Sequence, residues 1–352
     1  MTASHIRLQP DPTQTRLLPF AWPMTAFWNR KLVVTAAIND RSALVSGQAM
    51  PSAEVNPNVP FAHGNCHVHV SQVAAFVEDE AAVLEVGLPT IGSVQEAIGK
   101  QVAELIDDGS TLQIGYGAIP DAVVMQLAHK HDLGIHSEMV GDGILTLVES
   151  GAVTNRRKNH LPGKMVATFA LGSNRLYRFL DRNPMIEMHP VDFTNDPCLA
   201  GRNDNLVAIN ATLEVDFIGQ CGSESLGSAP YSGTGGQSDF VRAANRSNGG
   251  KAIIVLPSTA KDDTLSRVVP TLKPGTHVST GKNDVNYVVT EHGVAQDVAP
   301  TPVRTLAHTV AMRFPIAIHG GLLSRCREQV LVTPLHARRA GMRKPRYAAG
   351  PL

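Results

Sequence analysis

Two carboxylate positions and two glycine-rich turns are the places where this chain could do chemistry. Glu138 lies in Ile135-His136-Ser137-Glu138-Met139, 21 residues beyond Gly117 and across one helical stretch. A carboxylate so placed can act as a covalent nucleophile towards an acyl group. Glu214 and Asp216 alternate in Leu213-Glu214-Val215-Asp216 and so share one face of a strand. Such a pair looks catalytic, yet half-exposed strand carboxylates are the commoner use. The turn Gly115-Tyr116-Gly117 lets backbone come close to a ligand, and the helix it opens offers free N–H groups to phosphate. The loop from Tyr231 to Gly236 can aim backbone N–H groups at an oxyanion. His67 and His69 point the same way along a strand, as half of a metal site would. No further ligand cluster follows at suitable spacing, so no metal is expected.

The elements that must position these residues alternate between strand and helix. Thr111 to Ile114 is a short apolar run that reads as a buried strand. Pro120 and Asp121 suit the first turn of the helix that follows, by fixed φ and by dipole. Val123, Val124 and Leu127 form its apolar side, and His129, Lys130 and His131 fall in its last turn. Gly134 breaks it, and Ile135 to Met139 extends again. Glu138 and the turn at Gly115 to Ile119 could then face one crevice at the carboxyl ends of the strands. Upstream, Ile91 to Asp107 predicts a helix with Ser93 as cap and Glu96 completing a capping box. Phe76 to Val86 predicts a strand and an acidic loop. Downstream, strands are predicted at Lys164 to Phe169, Met185 to His189, Leu206 to Thr212 with Leu213 to Phe217 continuing it, Ala252 to Leu256 and Val285 to Thr290. Helices are predicted at Ile144 to Glu149, at Ser173 to Asn183 and from Phe240 onwards. The fold class is therefore α/β, an open and largely parallel sheet built from βαβ units.

Bulk properties exclude several functions. Lys and Arg number 31, as do Asp and Glu, so no global charge points to nucleic acid or an acidic membrane. Gly (30) and Pro (23) are plentiful, which suits an α/β protein with many turns. The four cysteines, Cys66, Cys198, Cys221 and Cys326, form no CxxC pair, so neither a zinc ribbon nor a redox motif is indicated. No run approaches about 18 apolar residues, so no transmembrane helix is expected. The N-terminus lacks a secretory pattern, and a cytoplasmic location with reduced thiols is the expectation. A Rossmann dinucleotide site is not indicated, because no GxGxxG follows a strand.

Gly115-Tyr116-Gly117-Ala118-Ile119-Pro120-Asp121-Ala122-Val123, followed by Gly134-Ile135-His136-Ser137-Glu138-Met139 and Asp142-Gly143, resembles the class I coenzyme A transferases. The nearest group is the acetyl-CoA hydrolase/transferase and 4-hydroxybutyrate CoA-transferase family. The resemblance runs from about Glu54 to about Gln296 and includes Asn56-Pro57-Asn58-Val59-Pro60, Tyr231 to Phe240, Pro257 to Lys261 and Glu291-His292-Gly293. It implies a CoA-transferase-like domain at 91–296, preceded at 53–90 by the remnant of a second, similar domain. Residues 1–52 and 297–352 are unmatched. The latter is a basic tail with nine basic and two acidic residues. The expectation for both ends is a truncated or misassembled reading frame, with native ends as the alternative. By resemblance Glu138 is the nucleophile, Asn210 an amide beside it, and Gly235 and Gly236 the oxyanion loop. Gly115, Tyr116, Gly117, Ala118, Ile119, Ser232, Gly235, Gly236 and Lys261 meet the coenzyme. The implied reaction moves CoA between an acyl-CoA and a carboxylate through a glutamyl-CoA thioester. CoA is then a substrate, and no permanent cofactor is expected. The partners implied are acyl-CoA and small carboxylic acids, with a homodimer possible and no nucleic acid or membrane. A hydrolase shares the same nucleophile, and a CoA-binding remnant without turnover is the third alternative.

Overall fold

The computed structural model describes residues 52–67, 75–115 and 117–296, together with the backbone of short strands at Thr25–Phe27 and Val33–Thr35. The expectations for His69, Tyr116 and the basic tail at 297–352 lie outside the described residues. The central sheet has six strands: β1 (Thr111–Ile114), β2 (Gly134–Ile135), β3 (Leu206–Ala211), β4 (Lys251–Val255), β5 (Tyr287–Thr290) and β6 (Gly293–Gln296). Their order is β6-β5-β4-β3-β1-β2. All neighbours run parallel except β6, which folds back antiparallel on β5 at one edge. The expected largely parallel α/β sheet is what the chain forms.

Helices cover both faces, so the strands read as continuous apolar runs. The helices are α1 (Ser93–Glu104), α2 (Ala118–Met125), α3 (Asp142–Glu149), α4 (Asn174–Leu180), α5 (Val191–Thr194), α6 (Pro197–Ala200) and α7 (Gln237–Arg246). Alternation along β3 and β4 divides the core in two. Val207, Ile209, Ile253 and Val255 pack with Ile98 and Val102 of α1 and Val123 of α2. Leu206, Ala208, Ala252 and Ile254 pack with Phe240, Val241 and Ala244 of α7. Each fully buried aliphatic or aromatic side chain contributes about 1.5–3 kcal/mol, and these rows are what hold the strand ends in place.

Several local expectations shift. The cap of α1 is Gly92, whose N–H donates to Gln95 Oε1 at 3.1 Å, so Ser93 is already helical. Helix α2 stops at Met125, and His129 to His131 lie beyond it. The N–H groups of Gln126 and Leu127 turn to the carbonyls of Val123 and Val124, three residues back, which tightens and ends the helix. Asp142 and Gly143 belong to α3 rather than to a turn. Of the strand and acidic loop expected over Phe76 to Val86, the strand is Ala75–Glu78, paired parallel with Ser52–Val55. Glu214–Asp216 does not continue β3. It pairs with Cys221–Gly222 and Val268–Val269 in a separate sheet. At the break Leu213 N donates to Gly222 O at 3.0 Å, and the Thr212 hydroxyl lies 2.9 Å from Gly222 O and 3.1 Å from Glu214 O. Glu214 and Asp216 are then buried at 3% and 2%, not half-exposed.

Candidate active site

Glu138 sits where two sheets meet. Strand β2 lasts only two residues beside β1, and the chain then crosses to other partners. His136 N donates to Leu112 O of β1 at 3.0 Å, while Ser137 N donates to Val166 O at 3.0 Å. Val166 belongs to the strand Met165–Ala167 of a three-stranded sheet with Ile186–Met188 and His63–Gly64. Glu138 O accepts from Thr168 N at 2.9 Å and Phe169 N at 3.1 Å. Ser137 Oγ lies 3.2–3.3 Å from Ile114 O and N. That hydroxyl ties the Glu138 segment to the end of β1, where the glycine turn begins. The backbone on either side of Glu138 is thus fixed, and its half-buried side chain is the part left to act.

Two donors converge on that side chain. Asn195 Nδ2 and Gly236 N each lie 3.0 Å from Glu138 Oε2. Among the described residues Oε1 accepts no hydrogen bond. Asn195 follows α5, its N–H bonded to Val191 O at 2.8 Å, and precedes α6. Asp196 caps α6, accepting from Cys198 N at 2.6 Å and Leu199 N at 3.1 Å, with Pro197 in the first turn. The chain between the two helices is thereby pinned at Asn195. Gly236 closes the loop from Tyr231 and caps α7. An added Cβ would lie 2.6 Å from Asn195 Nδ2 and closer still to Glu138 Oε2, so both side-chain ends would have to move.

The structure brings together Glu138 and Gly236 of the expected residues and places Asn195 beside them. Asn210 is elsewhere occupied. Its Nδ2 donates to Gln113 Oε1 at 2.8 Å and its Oδ1 accepts from Gln113 Nε2 at 3.2 Å, a buried amide pair across β3 and β1. In sequence, Asn195-Asp196-Pro197 carries the residues of a turn and no other signal that would mark Asn195. Gly115 closes the β1 ladder through its N–H to Ile209 O at 3.1 Å. Gly117 has φ 122°, a conformation that favours glycine, and opens α2. Ala118 and Ile119 form the first turn of α2, with Ile119 buried. Ser232 and Gly235 are exposed in their loop, which Glu224 holds through its carbonyl to Tyr231 N and Ser232 N. Lys261 is exposed between the paired strands Thr259–Ala260 and Leu265–Ser266. Glu214 Oε1 accepts from Thr276 Oγ1 at 3.0 Å and Lys273 N at 3.3 Å and so ties down a distant segment, whereas Asp216 accepts from Ile218 N and Gln220 N and closes a local turn. Among the described residues no group of three or more metal-ligating side chains assembles, and no helix is long and apolar enough to cross a membrane.

Behind Glu138 lies a buried polar cluster. His136 is fully buried, with Nε2 2.9 Å from Thr194 O and Nδ1 3.4 Å from Asn203 Nδ2. Burial, with the Lys158 charge nearby, pushes its pKa down to about 3, so the ring is neutral. Lys158 donates to Ile135 O at 2.8 Å and Lys164 O at 2.6 Å. Burial lowers its pKa to about 7. His189 stacks on Phe193 and meets Glu187 Oε2 at 3.1 Å.

Residues 172–306 match the family model of the acetyl-CoA hydrolase/transferase C-terminal domain. The chain is 58% identical over 243 residues to a succinyl-CoA:cyclohexane-1-carboxylate CoA transferase of Geobacter metallireducens, covering 69% of this chain and 56% of that protein. It is 50% identical to the 4-hydroxybutyrate coenzyme A transferase of Clostridium kluyveri, over 69% of this chain and 57% of the relative. The solved structure of a 4-hydroxybutyrate CoA-transferase from Porphyromonas gingivalis superposes with TM-score 0.74 at 36% identity, covering 88% of this chain and 74% of that one. The chain thus spans little more than half the length of the curated relatives it matches. Taken with the glycine turn, the half-buried glutamate and its two donors, these matches mean that the chain belongs to the acetyl-CoA hydrolase/transferase family of CoA transferases.

Proposed function

We propose that the chain carries the nucleophile of a CoA transferase, with Glu138 transferring CoA between an acyl-CoA and a carboxylate. The observation that carries this reading is the asymmetry of the Glu138 carboxylate: Oε2 takes two hydrogen bonds at 3.0 Å, and Oε1 takes none among the described residues. Oε1 attacks the thioester carbonyl, the C–S bond breaks, and CoA leaves as the thiolate with an acyl-glutamyl anhydride behind it. The thiolate then attacks the glutamyl carbonyl carbon, and the original acid leaves as its carboxylate. The product is a glutamyl-CoA thioester, and a second carboxylate reverses the steps. No oxidant, reductant or water is consumed. During attack on the glutamyl carbon, negative charge collects on Oε2. Asn195 Nδ2 and Gly236 N are already at the distance an oxyanion hole requires, and each such donor contributes about 3 kcal/mol to the transition state.

The coenzyme is taken by the turn at Gly115 to Ile119, Tyr116 included, and by Ser232, Gly235, Gly236 and Lys261. The free N–H groups at the start of α2 favour a phosphate or pantetheine carbonyl there. The acyl donor and acceptor are a short acyl-CoA and a small carboxylic acid, acetyl-CoA and 4-hydroxybutyrate among the candidates. A hydrolase differs only in admitting water as the acceptor.

Mass spectrometry after incubation with acetyl-CoA, followed by borohydride, tests the assignment. A glutamyl thioester is reduced to the alcohol, and the mass loss is expected at Glu138 and absent in Glu138→Ala. Modification at Glu214, or none in a folded sample, sinks it. Release of free CoA without a carboxylate acceptor would select the hydrolase.

A further inference from the structure

The side chain that holds the two donors in register with Glu138 is His136, and we infer that it is a positioning residue for CoA transfer. This rests on the reading of Glu138 as the nucleophile. His136 stands two residues before Glu138 on the same extended segment, with its backbone N–H bonded to β1. Its Nε2 lies 2.9 Å from the carbonyl of Thr194, the residue before Asn195. Thr194 is itself fully buried. The ring also packs edge-on against Phe240, with centroids 6.3 Å apart. Phe240 stands directly behind Gly236, within 3.2 Å of where a Cβ would be. One imidazole therefore touches both arms of the site, the Asn195 arm through a hydrogen bond and the Gly236 arm through a ring contact.

Three observations separate this from ordinary core packing. The first is that Asn203 Nδ2 faces His136 Nδ1 at 3.4 Å. An amide N–H can only donate, so Nδ1 is the acceptor and the proton sits on Nε2, where it donates to Thr194 O. The second is that Asn195 Oδ1 is buried without a hydrogen-bond partner among the described residues. The Asn195 amide is thus not oriented through its own oxygen, and its aim at Glu138 depends on where the backbone at 194–195 is held. The third is that Asn203 is anchored in turn. Its Nδ2 also donates to Ala200 O at the end of α6, and its Oδ1 accepts from His160 N. The chain from Asn203 through His136 to Thr194 brackets the segment that carries Asn195 from both sides.

The test compares two variants that fill the same space. His136→Gln keeps an N–H donor near the Nε2 position, and His136→Leu keeps volume without one. Two readouts are followed: the rate of glutamyl-CoA thioester formation from acetyl-CoA with its KM, and the side-chain amide resonance of Asn195 in ¹⁵N-labelled protein. His136→Leu is expected to slow thioester formation by about 100-fold at unchanged KM, the loss that follows from a misplacement of about 1 Å. The Asn195 amide signal should lose its carboxylate-bonded shift. His136→Gln is expected to keep that shift and most of the rate. Wild-type behaviour of folded His136→Leu in both readouts overturns the inference, as does a His136→Gln variant no better than His136→Leu. If wild type forms no thioester, the nucleophile assignment fails, and the Asn195 signal still decides the clamp. Should neither variant fold, the ¹⁵N shifts of His136 in the wild-type protein decide. A proton on Nε2 is expected, and one on Nδ1 would overturn the inference.

Discussion

Asn195 Nδ2 lies 3.0 Å from Glu138 Oε2, a contact between residues 57 positions apart that belong to no common element. The same oxygen meets the N–H of Gly236, so a side-chain amide and a backbone amide share one acceptor. Removing the first should be felt in rate rather than in binding. Asn195→Ala is expected to slow glutamyl-CoA thioester formation by about 100-fold with little change in KM. Asn210→Leu should do the opposite. It strands Gln113 in the core, which costs about 1–3 kcal/mol of stability, and leaves the rate of the folded fraction near wild type. Rapid-quench kinetics and urea unfolding separate the two, and a rate loss confined to Asn210→Leu would reassign the catalytic amide.

The space at Gly236 yields a sharper case. A methyl group there would press on Glu138 Oε2 and on Asn195 Nδ2 together. Gly236 has an ordinary helical-side φ of −75°, so alanine meets no backbone strain and the damage is local to the site. Gly236→Ala is expected to fold with a melting temperature close to wild type and to form thioester at least about 100-fold more slowly. Near-normal turnover in this variant would mean that Glu138 does not react from the position it occupies here.

Glu214 offers the contrast. Gly227 N donates to Thr276 Oγ1 at 2.9 Å, and Thr276 Oγ1 in turn donates to Glu214 Oε1. Glu214→Ala removes the shared acceptor of the Thr276 hydroxyl and Lys273 N–H and should cost about 1 kcal/mol in denaturant unfolding. Thioester formation at Glu138 should persist in the folded protein. Loss of the thioester in a folded Glu214→Ala sample would make Glu214 the nucleophile instead.

Lys158 predicts a pH dependence. Its native pKa, lowered by burial to about 7, lies below the ordinary 10.5. Below the native value both folded and unfolded states hold the proton, and the full cost of the buried charge is present. Between the two values the unfolded chain binds more protons than the native one, so stability rises with pH. Relative to Lys158→Met, wild type should gain about 1 kcal/mol per pH unit through that window. Urea unfolding of both proteins on either side of neutrality measures it. A flat difference would show that the ammonium stays charged on its two carbonyls, Ile135 O and Lys164 O.

The extent to which the fold was legible follows from range. Thr111 to Ile114 reads as a strand because its residues are apolar, and Gly117, Pro120 and Asp121 mark the start of α2 by φ, by a missing N–H and by charge. These are local properties of the chain, and the sheet class follows from their alternation. The end of α2 is not legible in the sequence because its apolar pattern runs on through Leu127, while the hydrogen bonds close into a tighter turn after Met125. A half-exposed Glu214 is expected from sequence because alternation sets which face a side chain takes, but not whether another segment covers that face. Here the segment around Lys273 and Thr276 covers it.

The candidate site divides along the same line. By itself the sequence determined the strand, glycine turn and helix that precede Glu138, the carboxylate after β2, and a glycine loop able to present an N–H. Only the tertiary structure decided which amide meets that carboxylate, that Asn210 is spent on Gln113, and that His136 spans from the Glu138 segment to Thr194. The physical reason is that a hydrogen bond between segments far apart in the chain leaves no periodicity in either of them. Its partners are chosen when the two sheets and the α5–α6 connection pack together, and Asn195 becomes distinguishable from any other asparagine in a turn only then.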